Sequence, residues 1–593
     1  MLSISYSEPP PSAARGDAPQ SATPQAGALP FDVLPFDVLL AVCAQLPACE
    51  CEGGGAAAGC TGHHAPGAFG GGALSALRQT SRAWRAAALR RGLRVVVASN
   101  RWMHGGDGAR LAAVRRHHGR HVRRLVFRAA DAFHSGRPGA VGELEAALAL
   151  RWPCVDAVAV DWFSSGAGDM ERIAAAVRCH VPRVRDFALR DKAATLAAAA
   201  DMLRGAAGGV SRLALTPYGF NQQWAALQPA ERGGADVVRR MRGQLTALGV
   251  GGADVTPALV AALHDSQPRL RSLAVEHASV AALGAGAGCL HALAALRLEH
   301  VLVGAAGELA LSAAAMPRLA SLAVRHVWRP ADGATSARGA VSLQNERWLA
   351  PVWAQHWVHL RDVALPALAD SDAAALPRAC PGLQRLVTHS LDYAGPRLTA
   401  AGLVALLRGL PRLAHLAIEQ RRADGSPGYD IAGAALCRLL GCADDDDQFG
   451  DRLIRRGSPA PDRPVAVVLR LRSLCIPHAP FTTSALDILV HRLPGLTRLA
   501  VTLRCDSLFA CSPAAAPPRP HAALRRLALR ADEDVLADPQ GLAAWLAQRF
   551  PLLRECATNH ARSHRRTLAE LRALAPAVSF SRLSSRALQT TAE

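Results

Sequence analysis

A six-residue pattern, apolar-x-x-apolar-x-apolar, recurs along most of this 593-residue chain and constrains its fold more than any other feature. It reads VRRLVF at 122, VDAVAV at 155, VRDFAL at 184, VSRLAL at 210, LTALGV at 245, LRSLAV at 270, LAALRL at 293 and LASLAV at 319. It continues as LRDVAL at 360, LQRLVT at 383, LAHLAI at 413, LRSLCI at 471, LTRLAV at 496 and LRRLAL at 524, with a weaker copy, LRECAT, at 553. Most intervals are between 23 and 35 residues; those from 319 to 360 and from 413 to 471 are longer. The last four positions alternate apolar and variable, which is the period of a strand with one buried face. A strand repeated at this interval cannot bury that face alone, so consecutive units must stack.

The segments between copies carry helical periodicity. Leu403, Leu406, Leu407 and Leu410 fall at i, i+3, i+4 and i+7, and Leu486, Leu489, Val490 and Leu493 repeat the spacing. Leu542, Trp545 and Leu546 begin it again, and Pro411, Pro494 and Pro551 stand where each helix must stop. One short strand plus one helix per unit resembles the leucine-rich-repeat family, in particular the variable-length repeats of ubiquitin-ligase adaptors. The resemblance covers roughly residues 120–560. It implies an α/β horseshoe solenoid with one parallel strand per repeat. A single globular α/β domain with many parallel strands is the competing architecture.

Ahead of the repeats, LPFDV occurs twice in succession, at 29–33 and 34–38. Leu34, Pro35, Val38, Leu39, Val42 and Leu46, followed by Leu74, Leu77 and Trp84 in ALSALRQTSRAWRAAAL, resemble an F-box. That family places a Leu eleven positions after its Pro. Pro35 meets Leu46 in this way and Pro30 meets Ala41, so the second copy is in register and the first is a short duplication. The resemblance implies a small all-α domain that docks a Skp-type adaptor and, through it, a cullin–RING ubiquitin ligase. Residues 47–73 intrude where the family has a shorter connection. Loop closure costs only about 0.6 kcal/mol per doubling of length, so a Gly-rich insert is compatible with that domain. Cys49, Cys51, Cys60, His63 and His64 in the insert do not have the spacing of a recognised zinc finger, and no metal is expected there. The expected organisation is a tail at 1–28, the F-box-like domain at 29–95, and a linker or cap at 96–120. The solenoid follows at 121–560, with insertions near 325–359 and 420–465, and then a terminal cap and tail at 561–593.

The chain has a net charge of +19, yet Lys192 is its only lysine and its arginines are spread along the sequence. The one local cluster, at 115–124, is too short for a basic stripe, which argues against nucleic acid as the main partner. Fourteen scattered cysteines suit a reducing compartment, and a cytoplasmic or nuclear location is expected. No apolar run has the length and continuity of a membrane helix. No G-x-S-x-G, H-E-x-x-H or P-loop motif is present, and the acidic run Asp444–Asp447 lacks the ligand alternation of a calcium loop. Neither a cofactor nor enzymatic chemistry is expected.

Alternation along each strand directs the variable positions to the concave side. The middle column so obtained is small, with Ala159, Ala188, Ala214, Ala274, Ala323, Ala364, Ala417, Ala500 and Ala528. The next is charged, and Arg128, Arg190, Glu276, Glu299, Arg325, His389, Glu419 and Arg530 are the candidate contacts for a protein target. Trp328, Trp348, Trp353 and Trp357 crowd the 325–359 interval, where helix packing accounts for Trp353 and Trp357. Two readings follow. One is a substrate-recognition adaptor of an SCF-type ubiquitin ligase. The other is a leucine-rich-repeat scaffold unrelated to ubiquitin that binds an anionic partner.

Overall fold

A computed structural model describes residues 93–98, 111–128 (except 113 and 118), 140–161, 167–190, 209–216, 233–251 (except 242), 256–276, 290–303, 311–330, 340–342, 348–388, 398–419, 429–431, 470–503, 520–531, 539–558 and 565–582, with a few single positions between them. Residues 29–92 of the F-box-like segment, the Cys/His insert, Lys192, His389 and the Asp444–Asp447 run lie outside the described residues, and residues 93–95 belong to a strand. The chain divides into two compact units, Met1–Tyr218 and Gly219–Glu593.

The first unit contains five parallel strands: β1 (Leu93–Ala98), β2 (Val122–Arg128), β3 (Ala157–Asp161), β4 (Asp186–Arg190) and β5 (Arg212–Thr216). Helices α1 (Ala140–Ala149) and α2 (Ala167–His180) fill two of the intervals. Leu125, Val158, Phe187 and Leu213 are register partners on successive strands, each no more than 2% exposed. They are the fourth letters of their respective patterns, stacked into one row.

The second unit repeats the plan. Its parallel strands are β6 (Ala247–Gly251), β7 (Ser272–Glu276), β8 (Ala295–Glu299), β9 (Ser321–Val324), β10 (Asp362–Leu365), β11 (Arg385–Thr388), β12 (His415–Ile418), β13 (Ser473–Phe481), β14 (Arg498–Leu503), β15 (Arg526–Ala531), β16 (Glu555–Thr558) and β17 (Ser579–Arg582). Its helices are α3 (Gly233–Arg240), α4 (Pro257–Ser266), α5 (Ala350–Trp353), α6 (Asp370–Ala379), α7 (Ala400–Gly409), α8 (Thr483–Arg492), α9 (Pro539–Arg549) and α10 (Arg565–Leu574). All fifteen copies of the pattern become strands, fourteen of them beginning two residues after the first apolar letter and β2 beginning at that letter, Val122. In the same parallel sheets two further strands, β1 and β17, lie beyond the pattern and pair with β2 and β16. This is a leucine-rich-repeat solenoid with a parallel sheet.

A backbone ladder fixes the register. The carbonyl of Arg361 accepts from the amides of both Gln384 and Arg385, Gln384 does the same for Ala414 and His415, and Ala414 for Arg472 and Ser473. Arg472, Thr497 and Arg525 continue the series. Each repeat thus satisfies the polar backbone of the next before the strand begins.

Three helices, α4, α7 and α8, start where a threonine can accept an otherwise unpaired amide. Thr256 Oγ1 accepts from Leu259 N at 3.2 Å, Thr399 Oγ1 from Gly402 N at 3.2 Å, and Thr482 Oγ1 from Ala485 N at 3.1 Å. Leu403, Leu406 and Leu407 of α7 are buried, as are Leu486, Leu489 and Val490 of α8 and Leu542, Trp545 and Leu546 of α9. Trp353 and Trp357 belong to the same packing. Trp353 Nε1 donates to Asp372 Oδ1 at 3.0 Å and Trp357 Nε1 to the Val352 carbonyl at 2.8 Å, leaving 5% and 2% of the two residues exposed.

Asp487 of α8 faces Arg549 of α9 at 3.2 Å. Burial outweighs that pairing and pushes the Asp487 carboxyl up to about 6. Its folded value therefore exceeds the unfolded one of about 4, so the folded state binds the proton more tightly and stability from this site rises as pH falls from about 6 towards 4. Melting temperatures of the wild type and Asp487→Asn across that window are expected to diverge in the wild type's favour on acidification. A constant difference would show that Asp487 titrates normally.

Candidate functional site

The strand positions that point away from the helices form three columns. Along β10 to β16 the first column is Asp362, Arg385, His415, Ser473, Arg498, Arg526 and Glu555, paired one to the next by register. The middle column is Ala364, Val387, Ala417, Cys475, Ala500, Ala528 and Ala557. The third is the charged column that sequence periodicity singles out.

The middle column departs from expectation. It reads as an exposed concave stripe, yet Ala417, Cys475, Ala500 and Ala528 are at most 1% exposed and join Val387 in an apolar cluster. Longer neighbours explain part of this. Glu419 reaches across to accept from the Cys475 thiol at 3.6 Å. β13 is nine residues long, its register shifts between Ile476 and Pro480, and Ser473 to Ala479 are all buried. A one-carbon side chain between two taller columns has no route to solvent there. In the first unit and in β7 to β10, Ala159, Ala188, Ala214, Ala274, Ala323 and Ala364 remain partly exposed.

The third column is brought together in parts. Arg128 and Arg190 share a row across β2, β3 and β4 with Asp161 between them. Glu276 and Glu299 are register partners on β7 and β8. Two carboxylates in direct opposition repel, and arginines surround the second. Arg297 Nη2 lies 2.5 Å and Arg325 Nη1 3.3 Å from the Glu299 carboxylate, whose side chain is only 8% exposed. The next residue, His300, takes a left-handed φ of 52° and stacks on His326 with centroids 4.4 Å apart. A branched route out of the strand at a non-glycine residue is uncommon and is held here by the ring stack. Glu419 engages Cys475, and Arg530, exposed at the end of β15, donates to His478 Nδ1 at 2.8 Å. The third column is thus several separate ionic groups, of which Glu299–Arg297–Arg325 is the tightest.

The first column carries charge that the sequence reading overlooks, although the same alternation, counted one step earlier, finds it. Arg385 contacts Asp362 at 3.6 Å and Arg526 contacts Glu555 at 3.0 Å. Between those pairs His415 is held below the usual histidine range, first by burial and then by Arg385, Arg498 and Arg472, with Asp362 opposing. Burial likewise lowers Arg498, and its register partner Arg526 lowers it further.

Among the described residues no group of three or more His, Cys, Asp or Glu side chains is arranged to hold a metal. Cys380 and Cys556 are buried, and burial pushes both thiols up to about 12, the opposite of what a reactive thiolate needs.

No family model and no curated protein matches this sequence. Solved structures with a similar course include the yeast Rad7–Elc1 complex, at 14% identity over 45% of this chain and 70% of the other, with a TM-score of 0.25. The TLR13–ssRNA13 complex aligns at 11% identity over 75% and 57% of the two chains, with a TM-score of 0.33. The leucine-rich-repeat protein LegL7 of Legionella pneumophila aligns at 11% identity over 82% and 98%, with a TM-score of 0.23. The strand pairing itself shows the fold, a leucine-rich-repeat solenoid with one strand of parallel sheet to each repeat.

Proposed function

We propose that this chain recognises a protein partner on the outward face of its sheet and performs no chemistry of its own. The observation that carries the reading is the face itself, a floor of small side chains beside a charged column held in register by the backbone ladder. Charged groups fixed on rigid strands favour specificity and register of association over raw affinity. A continuous sheet face also suits an extended surface better than a small buried ligand.

The finer reading is that of a substrate-recognition adaptor of an SCF-type ubiquitin ligase, acting in the cytoplasm or nucleus. Its support is the F-box resemblance of residues 34–85. In that reading Leu34, Pro35, Val38, Leu39, Val42, Leu46, Leu74, Leu77 and Trp84 meet a Skp-type adaptor, and the repeats hold the target. Leu46→Asp places a charge at an apolar docking position and is expected to abolish co-purification of the adaptor and cullin, with the melting of the repeats unchanged. Deleting residues 29–33 is expected to leave co-purification intact. Adaptor binding that survives Leu46→Asp would overturn the register assigned to the F-box, and failure of the wild-type chain to co-purify an adaptor would leave a recognition scaffold outside the ubiquitin system.

A further inference from the structure

Seven arginines of the second unit are scattered in sequence and lie on neighbouring strands, with a gap at β12, where Ala414 and His415 stand. The first column and the residues just before each strand together present Arg361, Arg385, Arg472, Arg498, Arg525 and Arg526 across β10 to β15, and Arg554 extends the row at β16. Among the described residues of these two columns only Asp362 and Glu555 are acidic, one at each end. Seven arginines against two carboxylates leave an excess of five positive charges, by 7 − 2. Arg498 and Arg526 are register partners, an opposition of like charges that costs stability in a sheet. Arg472 and Arg554 are exposed, and the side chains of Arg385 and Arg526 are 34% and 40% exposed.

We propose that this strip binds an extended acidic segment of a partner protein, its guanidinium groups taking successive carboxylates. Guanidinium forks match carboxylates bidentately, and the ladder of paired amides holds the forks at fixed intervals before any ligand arrives. From Asp362 to Glu555 there are six interstrand steps. At about 4.8 Å per step they span roughly 29 Å, the length of about nine extended residues at ~3.3 Å each. Nucleic acid fits less well. Among the described residues of these repeats, Trp353, Trp357, Phe481, Trp545, Phe550 and Phe580 are buried in the core, so none of them offers the strip a platform for base stacking. The proposal names the partner chemistry of the protein-binding reading and rests on that reading, but it does not depend on the F-box.

The test uses the full chain and a labelled peptide of about ten glutamates, read by fluorescence anisotropy at low and at physiological salt. Binding is expected to weaken at least tenfold in Arg472→Gln/Arg498→Gln/Arg526→Gln. It is expected to persist in a charge-matched control, Arg178→Gln/Arg239→Gln/Arg240→Gln, which removes three exposed arginines from helices α2 and α3. The exposed single variant Arg472→Gln, expected to show a smaller loss, guards against misfolding of the triple. Equal affinity in the strip and control variants would overturn the proposal, because binding would then follow net charge alone. Tighter binding of a single-stranded oligothymidylate than of the peptide would overturn it in favour of nucleic acid. Peptide binding seen only after Asp444–Asp447 are replaced by Asn would overturn it in favour of the chain's own acidic run. Adaptor co-purification with the triple variant, measured in parallel, separates failure of the strip from failure of the adaptor reading.

Discussion

Leu499→Ala is expected to lower the stability of the second unit by about 2–5 kcal/mol, the range for truncating a fully buried leucine. Leu499 is 0% exposed in the central row of β14, paired in register with Leu474 and Leu527. Neighbouring repeats contribute the atoms that would line the cavity, so the loss should spread to them in a stack stabilised by nearest-neighbour interfaces. The next residue sharpens the test. Ala500 points to the other face and is also 0% exposed. On periodicity alone it is a solvent-facing residue, and Ala500→Leu would change stability by no more than about 0.5 kcal/mol. In the structure the added carbons must displace Ala528 and Cys475, and overpacking of that kind costs about 1–3 kcal/mol. Urea denaturation of the two variants decides between these. A neutral Ala500→Leu would show that the apolar cluster of the middle column is open.

Glu299→Ala should be the second most damaging change. Its carboxylate stands between Arg297 and Arg325, whose side chains are 29% and 33% exposed. Removing one member of a fully buried pair costs about 3–5 kcal/mol; with both arginines partly solvated, about 2 kcal/mol is expected. Arg325→Ala alone should cost less, because Arg297 remains on the carboxylate. A double-mutant cycle between positions 299 and 325 should return a coupling of about 0.5–1 kcal/mol, since the sites are in direct contact. Additive losses would mean that the 3.3 Å approach contributes nothing measurable.

Glu299 and Arg325 were both legible in the sequence as members of one charged column. Their contact was not. A period-2 argument assigns a residue to a face but carries no distance between strands separated by 26 residues. The same limit explains the arginine strip. Arg472, Arg498 and Arg526 are about as far apart in the chain as any others, and only the register of β13, β14 and β15 makes them neighbours.

The sequence by itself determined the repeating unit. An apolar alternation returning every 23 to 35 residues, with leucines at helical spacing between copies, leaves strand-plus-helix stacking as the way to bury every apolar side, and all fifteen copies became parallel strands. It determined the helix ends too, through Thr399, Thr482, Pro411 and Pro494, because capping and termination are local. Tertiary structure alone decided which of the outward residues meet solvent. Ala364 is partly exposed and Ala500 is closed off, although both occupy the same letter of the pattern. Burial depends on the height of side chains from adjoining repeats, on the long strand β13, and on contacts such as Glu419 with Cys475 across 56 residues. No local pattern encodes those distances, because they are set only when the repeats stack.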